Sequence, residues 1–388
     1  MNDSMTASRR IHSIDIVRGA VMVLMAIDHV RVYSGLPAGG PTPGIFFTRW
    51  VTHFCAPAFV FLAGTSAFLH GEKLGDRGAL SRFLVTRGIW LILLELTVIR
   101  LAWTFNVDFG SYLLAGVIWV LGWSMIILAV LVHLPIGWIA ALSLIVIFGH
   151  NLFDGVGQLG EGSAAGWALQ LLYLDGGIQI GANGPVLVVL YVLIPWVVVM
   201  AAGYAFGTVL RWEADRRRRA CLAIGLGAIA LFAVLRGLNL YGDPRPWSAD
   251  RMPALLSFLN ANKYPASLLF LLMTLGPVIA LLPWLEQVRG QVVGWLEVFG
   301  RVPLFYYLLH IPLIHLLAVL LTLVREPAAL SWLFANHPVM VPPAPEGYVW
   351  SLGLLYAVTV VAVILLYWPC RWFADLKRRS KAPWLSYL

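Results

Sequence analysis

Charge is what this chain has least of. Only 12% of its 388 residues are Asp, Glu, Lys or Arg, against about 25% in an ordinary soluble domain. Hydrophobic residues make up 60% and the mean hydropathy is +0.82. This shortage excludes a soluble globular protein, a disordered tail and a nucleic-acid-binding domain. Cysteine is scarce as well. Cys55, Cys221 and Cys370 stand far apart, without metal-ligand or redox spacing, and read as small hydrophobes in helices. The chain has no HExxH, Walker or GxGxxG motif and no Cys/His cluster, so no metal is expected. Aromatics are plentiful: 13%, with 17 Trp, suits a protein with two membrane interfaces to anchor.

A membrane-spanning helix needs roughly 20 mostly apolar residues. Ten segments offer them: 14–33, 50–69, 84–103, 112–132, 134–150, 185–209, 220–238, 264–285, 302–324 and 348–369. The pattern predicts an all-α, polytopic membrane bundle, one domain over 1–388 with 1–13 and 370–388 as cytoplasmic tails. The fifth span is short, and 286–301 either extends the ninth helix or lies along the interface. Ten spans put both termini on one side. Most of the 27 Lys and Arg fall in segments on that side: Arg9 and Arg10, Lys73 to Arg87, Arg211 to Arg219, Arg289 and Arg301, and Arg371 to Lys381. The positive-inside rule makes it cytoplasmic. The run RWEADRRRR at 211–219 is a topology anchor that also meets anionic lipid. Because the basic residues are split among several ends, the net charge of +8 does not imply nucleic acid. Span one is too polar for the apolar region of a cleaved signal. The outer segments 151–184 (Asp154, Glu161, Asp175), 239–263 (Asp243, Asp250, Asn262-Lys263) and the Pro-rich 325–347 are too short for a separate soluble domain, and no internal repeat is visible.

Ionisable groups inside spans are costly and mark function by default. Span one carries Asp15, Arg18, Asp28 and His29. Arg18 and His29 are eleven positions apart, which at 100° per residue brings them within about 20° of one face and about 16 Å apart along the axis. His29 is the candidate general base, oriented by Asp28 or Asp15; packing of His29 and snorkelling of Arg18 are the alternatives. In span two, Arg49, His53 and Pro57 repeat at i, i+4, i+8, and Pro57 is expected to break the helix and free a carbonyl. Span three holds Glu95 and Arg100, read as structural ion-pair members. Trp119 and Trp123 in span four read as packing. In span nine, Tyr306 and His310 are i, i+4. His315 lies about 140° from His310, so the two cannot face one site, and His310 is favoured. His12, His70, His133 and His337 fall at helix ends or in loops.

The opening SIDIVRGAVMVLMAIDHV followed by FFTRWVTHFCAPAFVFLAGTSAF resembles the heparan-α-glucosaminide N-acetyltransferase catalytic family, in its bacterial branch. The later KYPASLLFLLMTLGP and FGRVPLFYYLLHIPLIH are similar to it too. Arg18-Gly19 with a His eleven residues after the Arg also resembles the acyltransferase-3 membrane O-acyltransferases. One departure stands out. The lysosomal enzymes carry Asn where His29 stands and place their active His in the next outer loop. Here 34–52 contain no His, so the role moves to His29 or His53.

The resemblance implies transfer of an acyl group, acetyl first of all, from cytosolic acyl-CoA to an amine or hydroxyl, such as that of a sugar, across a bacterial inner membrane. A thioester is already activated, so the protein chiefly needs a base for the acceptor and donors for the oxyanion. Direct transfer uses His29 as base; a double displacement would acylate it. Coenzyme A carries several phosphate charges, and Arg18, Arg87 and Arg301 are placed near the inner face to meet them. His29, Asp28, His53 and His310 are the candidate catalytic residues. Membrane lipids and a second copy of the chain are further expected partners. A secondary transporter or flippase for an anionic solute is the rival reading. A structural membrane subunit is a third, but it leaves the polar stripe on span one unexplained.

Overall fold

A computed structural model describes residues 11–40, 42–155, 163–250, 252–380 and 382–388. Arg9, Arg10, Glu161 and Lys381 lie outside the described residues. The chain opens with α1 (His12–Val32), α2 (Pro43–Trp50), a 3-10 turn at Val51–Phe54 and α3 (Cys55–Leu74). A continuous helical run follows: α4 (Arg77–Leu94), a π turn at Glu95–Ile99 and α5 (Arg100–Thr104). Then come β1 (Tyr112–Ala115), α6 (Val117–Leu131), α7 (Ile136–Gly149), α8 (Ala164–Leu172), β2 (Gly176–Gln179), β3 (Val186–Val189) and α9 (Leu193–Phe206). The chain closes with α10 (Ala214–Leu238), α11 (Ala254–Leu259), α12 (Leu268–Leu285), α13 (Gln291–Arg301), α14 (Pro303–Arg325), α15 (Leu330–Leu333) and α16 (Leu352–Arg379).

Among the described residues, seven helical runs are long and apolar enough to cross a membrane: Pro43–Leu74, Ile136–Phe153, Leu193–Arg211, Ala214–Leu238, Leu268–Leu285, Pro303–Arg325 and Leu352–Arg379. This makes the chain an integral membrane protein. The other three expected spans coincide with helices of a different character. The α1 helix and the run from α4 through α5 carry several charged side chains each, and α6 is only 15 residues long.

The bundle is not purely α-helical. The starts of the expected spans 112–132 and 185–209 are strands, joined in a sheet of order β1-β3-β2. Tyr112 to Ala115 lie parallel to Val186 to Val189, and β2 runs antiparallel to β3. The supposed tail 370–379 is the last stretch of α16 and buries Cys370 and Phe373. The stretch 286–301 is mostly the separate helix α13, which stops at Val302 before Pro303 opens α14. The 3-10 turn at 51–54 precedes Pro57, which has no N–H for the carbonyl of His53.

The α1 helix packs against α3, α12, α13, α14 and α16 and so runs through the middle of the assembly. Its crossing with α13 is close because glycines face backbone on both sides. A Cβ on Gly300 would stand 1.8 Å from the Asp15 carbonyl oxygen, and one on Gly19 would stand 1.9 Å from that of Leu296. Small residues at such crossings let backbones approach, which is how membrane helices gain packing energy.

Candidate functional site

His29 sits one turn from the end of α1, and His310 lies fully buried in the first half of α14. The fold joins them: His29 Nδ1 is 2.6 Å from His310 Nε2, and the rings stack at 4.7 Å between centroids. Trp103 packs edge-on against His29 at 4.7 Å, and Tyr306 stacks on His310 at 5.3 Å. The tautomers follow from one contact. His310 Nδ1 lies 2.7 Å from the Tyr307 carbonyl oxygen, which can only accept. With neutral rings, His310 Nδ1 therefore carries the proton and its Nε2 is a bare lone pair. His29 Nδ1–H donates to that lone pair, leaving His29 Nε2 unprotonated. The pair thus presents a base already in the tautomer needed to accept a proton.

His29 is the member of the pair that lines a cavity of about 200 Å³. Met25, Asp28 and Arg31 of α1 line it, as do Arg49, Glu95, Tyr191, Lys263, Tyr264 and Tyr307. Part of its wall comes from connections between helices, at Ala38, Leu190, Pro338 and Val339. Asp28 is engaged by Arg31, whose Nε donates to Oδ1 at 2.7 Å. Glu95 caps a helix: one carboxylate oxygen accepts from the amides of Ile118 at 2.8 Å and Trp119 at 3.2 Å, in the first turn of α6.

A second cavity, of about 390 Å³, opens along the other half of α1 and is lined by Ile14, Asp15, Arg18 and Met22. Arg87 of α4, Arg301 at the end of α13, and Lys73 and Lys377 add further cations to its wall. Arg18 donates to the Leu62 carbonyl oxygen at 2.9 Å and to the Ser66 hydroxyl, both on α3. Arg301 is paired with Glu297 at 2.7 Å, and Glu297 also meets His12 at 2.9 Å. Phe59, Val117 and Tyr307 wall both cavities, so the two abut.

The structure therefore brings His29 to His310, and Arg18, Arg87 and Arg301 to one another. Other expected residues stand elsewhere. His53 packs edge-on against Phe270 at 5.4 Å with both ring nitrogens buried and unpartnered among the described residues, and it lines neither cavity. The 3-10 turn breaks the shared face expected for Arg49 and His53. Asp28 does not hold the His29 ring, because successive helix positions diverge by about 100°. Neither Glu95 nor Arg100 stands at ion-pair distance from an opposite charge among the described residues, so the expected ion pairs with other helices are not formed. Arg100 instead gathers the loop after α5, donating to the Asn106 and Asp108 carbonyl oxygens. His315 stacks between Tyr33 and Phe105, away from His310. His337, between α15 and α16, is buried against Trp332. Burial pushes its imidazole down to about 4, so it is a neutral packing group at neutral pH. None of Asp154, Asp175, Asp243 and Asp250 lines the His29 cavity. Asp243 accepts from the Asn262 amide and the Ser267 hydroxyl, and Asp154 from Asn151 and Tyr173.

Sequence reasoning missed Tyr307, Lys263, Lys73 and Lys377. Tyr306 attracted attention through its i, i+4 spacing with His310, yet it is fully buried, and its neighbour Tyr307 faces both cavities. The motif KYPAS did hold Lys263, but nothing in its pattern said that this lysine turns inward.

Comparison with known protein families identifies the chain. Residues 10–239 fit the family model of the heparan-α-glucosaminide N-acetyltransferase catalytic domain. No curated protein matches the chain.

Proposed function

The chain belongs to the heparan-α-glucosaminide N-acetyltransferase catalytic family, and from that premise we propose that it moves an acyl group, acetyl the expected one, from acyl-CoA to an amine or hydroxyl acceptor. The carrying observation is the pair of abutting cavities strung along α1, one lined by Arg18 and the other by His29. In this reading Arg18, Arg87 and Arg301, with Lys73 and Lys377, meet the phosphates of the donor. The thin pantetheine arm reaches between Phe59, Val117 and Tyr307 toward His29. The acceptor, such as a sugar bearing the amine or hydroxyl, occupies the His29 cavity.

His29 Nε2 takes the acceptor proton as the new acyl–N or acyl–O bond forms and the thioester carbonyl becomes an oxyanion. The resulting imidazolium keeps its Nδ1–H on His310 Nε2, so neither ring has to turn. Tyr307, which lines both cavities with its ring edge-on to His29 at 6.4 Å, is the proposed hydroxyl donor to the oxyanion. Collapse breaks the C–S bond, and the thiolate leaves with the proton from His29. Direct transfer closes this balance; an acyl-His intermediate would use the same nitrogen as nucleophile. The whole of 1–388 acts as one membrane unit in this scheme, since His29 and His310 come from opposite ends of the chain. A bacterial inner membrane, with the Arg18 end cytoplasmic, is the proposed setting.

The test is direct. Purified protein should bind acetyl-CoA and release free CoA when an amino sugar is added. Absence of both binding and release across a panel of amine and hydroxyl acceptors would sink the reading.

A further inference from the structure

The acceptor cavity is cationic in a way the transfer reaction does not require. Among the described residues, three cations line it, Arg31, Arg49 and Lys263, against two carboxylates, Asp28 and Glu95. Both carboxylates are already engaged, one by Arg31 and the other by the two amides that open α6. Lys263 is only 9% exposed, yet among the described residues it has no carboxylate at ion-pair distance and makes no side-chain hydrogen bond. Its ammonium is held over the ring of Tyr264, 5.1 Å from the centroid. Arg49, at the end of α2, likewise lacks a counter-charge among the described residues. Asp28 interacts with the Lys263 ammonium from beyond ion-pair distance and is itself paired to Arg31. A largely buried ammonium without a direct counter-ion is costly to maintain, unless a ligand supplies one. Tyr191 and Tyr264 stand edge to face at 5.4 Å in the same wall and offer apolar ring surface beside the charges.

We propose that the acceptor is anionic, with a carboxylate or phosphate group that docks on Lys263 and Arg49 while its amine or hydroxyl reaches His29. The inference rests on the transferase reading and adds the acceptor's chemical class. The outer carboxylates Asp154 and Asp243 are committed within their own surroundings and line no part of the cavity, whereas Lys263 and Arg49 line it without a direct ion pair among the described residues. Lys263 lies close enough to Asp28 and His29 for their charges to interact, so an anion bound there sits beside the proposed base.

The experiment measures binding and turnover separately on the purified full chain. Three probes share one amino-sugar frame: glucosamine, glucosamine 6-phosphate and 2-amino-2-deoxyglucuronic acid. Titration calorimetry should show at least one anionic probe binding roughly tenfold or more tighter than glucosamine, the size of one charge-assisted contact. Preference for the phosphate or for the carboxylate identifies the anion. Lys263→Met and Arg49→Gln should each shrink the preference, and Lys263→Arg should keep it. Equal affinity for all three probes overturns the proposal, as does a preference that survives both neutralising variants. If Lys263→Met fails to fold, Arg49→Gln against wild type still decides. The transferase reading fails on a different readout. Selective binding of the anionic probe without any CoA release would remove the reaction and leave the anion site standing. CoA release with glucosamine as efficient as with the anionic sugars would do the reverse.

Discussion

At the scale of single residues, the site depends on which nitrogen of His29 is bare. The Tyr307 carbonyl oxygen decides this through His310, so the two histidines have different roles. His29→Ala is expected to lower kcat by roughly 100-fold or more while leaving acyl-CoA binding intact, since a positioned general base contributes about that much. His310→Ala should also lower kcat, by less, and should leave the donor KM unchanged. His53→Ala should keep its rate, because His53 touches neither cavity. A wild-type rate in His29→Ala combined with a collapse in His53→Ala would reverse the assignment. For the donor, Arg18→Ala, Arg87→Ala and Arg301→Ala should each raise the KM for acyl-CoA by roughly tenfold or more, equivalent to about 1.5–3 kcal/mol for a lost charge-assisted contact. Unchanged donor affinity in all three would take them out of the site. The part of this that was legible in the sequence lay within one helix. Arg18 and His29 share α1, so their common stripe follows from spacing alone. The bond between His29 and His310 crosses the whole chain and depends on how α14 packs against α1, which spacing does not encode. The same limit explains why Tyr306 drew the eye and Tyr307 did not. A one-residue difference turns a side chain by about 100°, and only the position of α1 says which side faces the cavities.

At the scale of elements, the crossing of α1 with α13 positions Arg301. Gly300 lies directly before it and rests on the Asp15 backbone. Gly300→Val must push α13 away, at a cost of about 1–3 kcal/mol for overpacking a close contact. It should lower the thermal unfolding midpoint in detergent and weaken acyl-CoA binding together. Gly294 provides the internal control. It lies within α13, and a Cβ added there would meet nothing within 4 Å, so Gly294→Ala should raise helix stability slightly, by up to about 1 kcal/mol. If Gly300→Val melted no lower than Gly294→Ala, the close crossing would not be holding the helices. Elements also mark where sequence reading ran out. The strands β1 and β3 are four residues each, set at the front of apolar runs that continue into α6 and α9. Four residues are too few for an alternating pattern to stand out from a spanning helix. The end of α16 was read as a tail because its charges, Lys377, Arg378 and Arg379, outweigh the single buried face formed by Cys370 and Phe373.

At the scale of the whole molecule, the choice between transferase and transporter becomes a question of what crosses the bundle. A transporter must expose one site alternately to both sides, commonly by rocking two halves. Here two cavities meet end to end along one helix, and α1 contributes Arg18 to one and His29 to the other, about 16 Å apart at 1.5 Å per residue. A long donor arm can cover that span without any rocking. The acylated end of that arm then passes between Phe59, Val117 and Tyr307, which wall both cavities. Val117→Trp should close that passage, abolishing transfer while acyl-CoA still binds beside Arg18. Sealed proteoliposomes carry the argument to the membrane. With acyl-CoA supplied only on the side where Arg18, Arg87 and Arg301 open, an impermeant acceptor should be acylated only when it is on the opposite side. Val117→Trp vesicles should bind the donor and yield no product. Equal product with donor and acceptor confined to one side would defeat the transmembrane route, and acceptor appearing unmodified on the far side would favour the transporter. Acylated product confined to the side opposite the donor is the result that the two abutting cavities lead us to expect.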